Sequence, residues 1–472
     1  MEREKTTGSR WKIAGALVVA TALAGAVARG TVGGGTSRFT APGGGPVTFT
    51  GHLDRTAVLR GHDGLVKLEL VIGAKGTATR SRERVPTDLL VILDRSGSMA
   101  GEKIDEARAA IRELVSQLGP DDRFALVTYA NEATLALPLA PVNDTARAHW
   151  LATIGEIRAD GGTNIAAGLD VGLDMIDRAR TAGRAPRAIL ISDGLANQGD
   201  ASRDGLVRRA GRAARGEYVL SAVGVGADFN EYLMTALADA GAGNYYYLQA
   251  AQDLGSVFAR EFDAARTTVA SSLAVRIDPG DGISVVDAAG YPLEHDGGAI
   301  VFHPGALFAG QERRIWVTLA VPSHTVADYG LGRFTLAYGD GAEHRTLVLD
   351  DLPRVACVKG EDEFYGSVDV PAWTRSVVVD AYNRMQQDVA REVKAGRKDG
   401  AEKAIRTFRD ETEAANGRLK SAAVGERLQS LDQLEADVGG AFEGADQEAR
   451  QNELAKSKGA EALDQRRVGS KK

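Results

Sequence analysis

Between Thr87 and Phe262 the chain alternates short apolar runs with longer amphipathic stretches, and no other feature limits its fold as tightly. Leu89 to Leu93, Phe124 to Tyr129, Ala188 to Ile191, Tyr218 to Val225 and Tyr245 to Leu248 are each short enough for a buried strand. Between them Ile104, Ala107, Ile111, Leu114 and Leu118, and then Ile165, Leu169, Leu173 and Ile176, recur at the three-to-four-residue spacing of one helix face. Strands alternating with helices predict a doubly wound α/β fold, a mostly parallel sheet covered on both sides. Ala133 to Leu139 follows Tyr129 too soon for a helical crossover, so one edge of the sheet is expected to be an antiparallel hairpin.

Strands flank this segment on both sides. "VTFT" (Val47 to Thr50) and "LVKLELV" (Leu65 to Val71) alternate apolar and polar residues, the period of half-buried strands. From Ser271 to Val358, "SLAVRI", "AIVF", "RRIWVTLAV", "RFTLAY" and "RTLVL" follow one another with Gly, Asp and Pro between them and no helical pattern. Neither set has its partners adjacent in sequence. Residues 47–86 and 266–358 are therefore expected to close into one discontinuous β-sandwich around the α/β domain, residues 87–265. In residues 359–444, Val378, Tyr382, Met385 and Val389, then Ala404 and Phe408, then Leu428, Leu431 and Leu434 predict two or three amphipathic helices. Apolar residues thin out after Gly444, so residues 445–472 read as a disordered tail.

Arg3, Lys5, Arg10 and Lys12 precede an uncharged run from Ile13 to Ala28 that closes on Ala26-Val27-Ala28. Residues 1–29 have the pattern of an export signal, and the length of the run leaves a cleaved signal and a retained membrane anchor both open. Residues 30–46, with Gly33-Gly34-Gly35 and Gly43-Gly44-Gly45, read as a flexible tether. The remaining chain is expected outside the cytoplasm, periplasmic or at the cell surface. Net charge is −7 without basic blocks, which excludes the footprint of a nucleic-acid binder. The single cysteine, Cys357, forbids an internal disulfide and reads as a small buried residue.

The chemistry is concentrated where the first apolar run ends, in Asp94-Arg95-Ser96-Gly97-Ser98. A nucleophile elbow needs Gly two residues before and after its serine, and neither Ser96 nor Ser98 has that setting. A phosphate-binding loop needs a Gly-Lys-Ser/Thr sequence, whereas Lys103 follows Glu102. What is left is a turn presenting Asp94, Ser96 and Ser98 at the carboxyl end of a buried strand, the edge where open α/β sheets bind ligands. Side chains offering only oxygen suit a hard cation, magnesium before zinc. Gly97 is expected to let the turn close. Two further strand-to-helix loops carry Thr163, in Gly161-Gly162-Thr163-Asn164, and Asp193, in Ser192-Asp193-Gly194.

A D-x-S-x-S turn, then a Thr in a Gly-Gly-Thr-Asn loop, then an Asp-Gly after a strand, in that order, resemble the von Willebrand factor A domain family and its metal-ion-dependent adhesion site. The resemblance covers about Thr87 to Phe262 and implies a Rossmann-like doubly wound sheet. It also implies a Mg2+ seat (Mn2+ or Ca2+ as alternatives) at Asp94, Ser96, Ser98, Thr163 and Asp193. In such proteins the cation accepts a further oxygen from an Asp or Glu of a partner protein, so the metal joins two chains. Arg95, Met99 and Asn164 at the rim are candidates for partner contact. None of the seven His residues falls in the three loops, and His149 beside Trp150 reads as a packing residue. The chain thus reads as a binding module rather than an enzyme, although a metal-bound water with Asp193 as base stays open. Outside this segment the chain resembles bacterial secreted or membrane-attached A-domain proteins. The alternative reading is a scaffold acting, or self-associating, through its C-terminal helices, with the metal only stabilising the fold.

Overall fold

The computed structural model describes residues 38–467 apart from 44, 76–85, 180, 182–183, 217, 227–228, 249, 267, 341–342, 351 and 445. The export or anchor segment, the Gly-rich stretch as far as residue 37 and the end beyond 467 lie outside the described residues. Among the described residues no helix is long and apolar enough to cross a membrane.

Four strands come first: β1 (Arg38–Thr40), β2 (Val47–Leu53), β3 (Ala57–Leu59) and β4 (Leu65–Ala74). The α/β domain then runs β5 (Thr87–Asp94), α1 (Glu102–Gln117), β6 (Arg123–Tyr129), β7 (Ala133–Pro141), α2 (Asp144–Glu156), α3 (Ile165–Ala179), β8 (Ala185–Ser192), α4 (Arg203–Arg215), β9 (Val219–Val225), α5 (Glu231–Ala240), β10 (Ala242–Leu248) and α6 (Leu254–Arg266). Its sheet has the order β10-β9-β8-β5-β6-β7, parallel throughout except for β7, which returns antiparallel on β6 as the short spacing requires. The strand β5 is buried along its whole length. Its Leu89, Val91 and Leu93 enter the core under α1, α2 and α6, while Leu90 and Ile92 enter the core under α3, α4 and α5. Burial on both faces explains why the strand reads as a continuous apolar run. Helix α3 approaches the sheet through glycines: a Cβ at Gly168 would lie 2.7 Å from the Tyr129 ring, and one at Gly172 2.8 Å from Ile92 Cδ1.

The strands after the domain are β11 (Thr268–Pro279), β12 (Ser284–Ala288), β13 (Glu294–Asp296), β14 (Ala299–Phe308), β15 (Glu312–Ala320), β16 (Asp328–Gly330), β17 (Gly332–Asp340), β18 (Glu343–Leu349) and β19 (Arg354–Val358). Two five-stranded sheets, β1-β2-β4-β15-β12 and β13-β14-β11-β17-β18, enclose a core that holds Phe49, Leu68 and Leu70 from before the domain with Leu273, Phe302 and Phe334 from after it. The joint is the antiparallel pair β4–β15, in register from Gly73 opposite Glu312 to Leu65 opposite Ala320. Cys357 is buried in the same core. Residues 38–40 depart from the expected tether. Strand β1 pairs with β2, and Phe39 lies over Gly51, where a Cβ would come within 2.0 Å of its ring. An edge strand held by backbone bonds and one ring needs no apolar periodicity, so composition concealed it.

The chain ends in helices: α7 (Glu361–Gly366), α8 (Val370–Arg375), a π-helical turn (Ser376–Ala381), α9 (Tyr382–Lys394), α10 (Lys398–Leu419), α11 (Ala422–Ala441) and α12 (Gln447–Arg467). The disordered tail expected from residue 445 is instead largely α12. Ala455 and Ala462 are wholly buried, and Lys456 Nζ lies 5.4 Å from the centre of the Phe229 ring in the α/β domain. Its Ala, Glu, Gln and Lys residues favour helix, and small buried side chains give no hydrophobic stripe to read. The helices meet the sandwich through ion pairs. Glu69, 1% exposed, accepts from Arg314 and Arg375 at 2.8 Å each, and the fully buried Asp380 accepts from Lys67 at 2.8 Å and Arg384 at 3.1 Å.

Candidate metal centre

From β5 the chain crosses to β6 on one side and later returns to β8 on the other. The carboxyl ends of β5 and β8 thus frame the crevice created by that reversal. Asp94 is the last residue of β5 and Asp193 follows the last residue of β8; both are fully buried. Below them Tyr129 donates from its hydroxyl to the Ile191 carbonyl at 3.1 Å.

Backbone bonds fix the three loops against one another. Arg95 N–H donates to Tyr129 O, Gly97 N–H to Gly161 O, Asp160 N–H to Arg95 O and Asn164 N–H to Ala130 O. Asn131 Oδ1 accepts from Gly162 N–H and Asn197 Oδ1 from Thr163 N–H, each at 2.8 Å. The Ser96 and Ser98 hydroxyls stand 3.0 Å apart, and Ser98 donates to Asp193 Oδ1 at 2.7 Å. Thr163, 3% exposed, completes the group: a Cβ at Gly194 would lie 3.3 Å from Ser98 Oγ and 3.4 Å from Thr163 Oγ1. All five predicted site residues therefore lie together at the carboxyl edge of the sheet.

The donor set fits a hard cation. It contains two carboxylates and three hydroxyls without nitrogen or sulfur. Mg2+ binds oxygen at about 2.1 Å, which puts neighbouring ligands of an octahedron about 3.0 Å apart, close to the Ser96–Ser98 and Ser98–Asp193 separations.

Two contributors escaped the sequence reading. Ser192 donates from its hydroxyl to Asp94 Oδ2 at 2.7 Å, while Ser96 N–H serves Asp94 Oδ1 at 2.8 Å. Burial raises the Asp94 carboxyl above its ordinary value; these bonds oppose that effect and the charge of Asp193 adds to it. Lys103, in the first turn of α1, places Nζ 2.5 Å from Asp193 Oδ2 and 3.3 Å from the Ser98 carbonyl. A cation in the first turn opposes the helix dipole, and that anomaly was visible in the sequence.

The rim differs from expectation in several places. Met99 is fully buried in the core beneath α1 and offers nothing to a partner. Asn164 caps α3, its Oδ1 accepting from Ala167 N–H at 3.0 Å. Gly97 does not have a positive φ; the turn closes instead at Gly101, with φ 81°. His149 is exposed, and its neighbour Trp150 alone packs inward, against Phe124. Leu195, 55% exposed, stands two residues beyond Asp193.

Residues 88–260 match the family model described as the von Willebrand factor type A domain, and this region of the chain is a domain of that family. The chain as a whole is similar in fold to a von Willebrand factor type A protein from Catenulispora acidiphila, with a TM-score of 0.64 at 16% identity, over 92% of this chain and 98% of that one. In sequence it is 29% identical over 201 residues to the uncharacterized protein YfbK of Escherichia coli (strain K12), across 42% of this chain and 35% of the relative. Over 351 residues it is 23% identical to the uncharacterized protein sll0103 of Synechocystis, across 72% of this chain and 81% of that protein. The chain thus spans about a third of the first of these relatives and most of the second.

Proposed function

We propose that the domain binds a partner protein outside the cytoplasm through a divalent cation, Mg2+ first and Mn2+ or Ca2+ as alternatives. Asp94, Ser96, Ser98, Thr163 and Asp193 would hold it. When bound, the cation supplies an electrophilic position for one carboxylate oxygen, so an Asp or Glu of the partner is the expected ligand. One observation carries the reading: five oxygen side chains from three separate loops gather at the carboxyl edge of the sheet, with Ser98 Oγ 3.0 Å from Ser96 Oγ and 2.7 Å from Asp193 Oδ1. The chain's own residues do the rest. Ser192 and the Ser96 N–H orient Asp94, and Asn131 and Asn197 hold the Thr163 loop in place. No imidazole stands in these loops to serve as a base, which favours capture over turnover. Calorimetric titration of Mg2+ into the full chain is expected to give one saturable site that Asp94→Ala abolishes. Binding of Mg2+ by a folded Asp94→Ala chain as tight as by wild type would overturn the reading.

A further inference from the structure

Both carboxylates of the site are already engaged by groups of this chain. The Asp94 oxygens accept from Ser96 N–H and the Ser192 hydroxyl, and the Asp193 oxygens accept from the Ser98 hydroxyl and the Lys103 ammonium. Lys103 is not a surface lysine that happens to lie nearby. Its side chain is one-third exposed, against a partner carboxylate with none, and its stem runs past Gly226, where a Cβ would lie 3.6 Å from both Cε and Nζ. The ammonium therefore stands against the same oxygen cluster that would receive a cation, and it stands there at some cost against the α1 dipole.

We propose that Lys103 is a built-in competitor cation, one that keeps the two-carboxylate site assembled without metal and thereby holds the metal affinity down. The proposal rests on the reading of the site as a metal seat. Two carboxylates carry two negative charges, and one ammonium cancels one of them. A divalent ion entering beside Lys103 meets net charge −1 instead of −2, and must either share Asp193 with the ammonium or displace it. At a few ångströms and a protein-like dielectric, removing that one positive charge is worth at least a factor of about ten in cation affinity. With Lys103 in place, the loaded site keeps an excess positive charge that only a further anionic oxygen neutralises. Metal and partner carboxylate then favour each other's binding, by linkage.

The test compares the full-length wild-type chain with Lys103→Met, Lys103→Gln, Lys103→Arg and Asp94→Ala by calorimetric titration of Mg2+ and of Mn2+. Thermal melts of each, with and without Mg2+, run alongside. Both neutral variants are expected to bind Mg2+ about tenfold or more tightly than wild type, Lys103→Arg within about threefold of it, and Asp94→Ala not at all. The neutral variants should also melt below wild type without metal and gain more from added Mg2+, since tighter binding to the folded state raises its stability further. If either neutral variant folds and binds Mg2+ no more tightly than wild type while Asp94→Ala still abolishes binding, the role of Lys103 falls and the metal seat stands. If wild type shows no binding and a neutral variant does, the competitor role is supported in its strongest form. If neither binds Mg2+ up to about 20 mM, weaker than the weakest extracellular divalent-ion modules, the seat and the competitor fall together.

Discussion

At the scale of the residue, the five side chains of the cluster were legible in the sequence, and the groups that hold them from beneath were not. Asp94 and Asp193 stand out because they end apolar runs, and Ser96, Ser98 and Thr163 because they follow in the turns that lead into helices. Ser192 looks like the last residue of a strand, yet its hydroxyl holds Asp94. Met99 reads as a rim residue by its neighbours in sequence, but a single 3-10 turn, Gly97–Met99, swings it into the core. A half-buried polar group elsewhere gives a prediction about pH. His303, on β14, has its imidazole lowered below the ordinary value by burial; Glu294 at 4.0 Å and a backbone bond with Leu273 oppose this, and Arg215 adds to it. The unfolded chain thus takes up the proton first. This contribution is fully present above about pH 6.5 and is lost as pH falls from there through the lower folded-state value. Urea unfolding between pH 7.5 and 5.5 is expected to show a stability that declines toward acid. His303→Gln should remove from that slope no more than about 1.4 kcal/mol per pH unit.

At the scale of the element, periodicity identified the strands of the α/β domain and its helices α1 and α3, because each is buried on a definite face and bounded by turns. It failed where an element is held by something other than apolar side chains, as with β1 on the backbone of β2 and α12 on its alanines. The last helix of the α/β domain shows a third kind of hold. Glu261 of α6, 1% exposed, accepts from Arg187 of β8 at 3.0 Å, from the Tyr246 hydroxyl at 2.7 Å and from Asn244 Nδ2 at 2.8 Å. Burial, with the charge of Glu261, pushes the Tyr246 hydroxyl far above its ordinary value. Arg187, 3% exposed, has no other anion within ion-pair distance among the described residues, and it also stacks over Phe308 of the sandwich. Glu261→Gln would strand that charge in the interior. It is expected to cost about 3–5 kcal/mol in urea unfolding, many times what an exposed pair is worth.

At the scale of the whole molecule, the sandwich was inferable because strand patterns stood on both sides of the α/β segment with no partners nearby. Its ion-paired contact with the helices was not, because charged residues on a strand such as Lys67 and Glu69 read as a solvated face. The helical end is part of this assembly. A chain ending at Asp446 would uncover the face of α9 that α12 covers and remove Lys456 from Phe229. Its melting temperature is expected to fall by at least about 4 °C in a thermal scan, whereas loss of a disordered end would leave it unchanged.

The way the α/β domain is inserted has a mechanical consequence. The chain enters it at Thr87 and leaves it near Thr268, and Thr87 pairs with Ala185 while Arg187 donates to the Thr268 hydroxyl at 3.4 Å. Both crossings therefore lie at the amino ends of the strands, opposite the edge that holds Asp94 and Asp193. Tension applied at that edge would run lengthwise down the parallel strands and divide between two connections. It would then reach the sandwich at β4 in one five-stranded sheet and at β11 in the other, so that both sheets share the load.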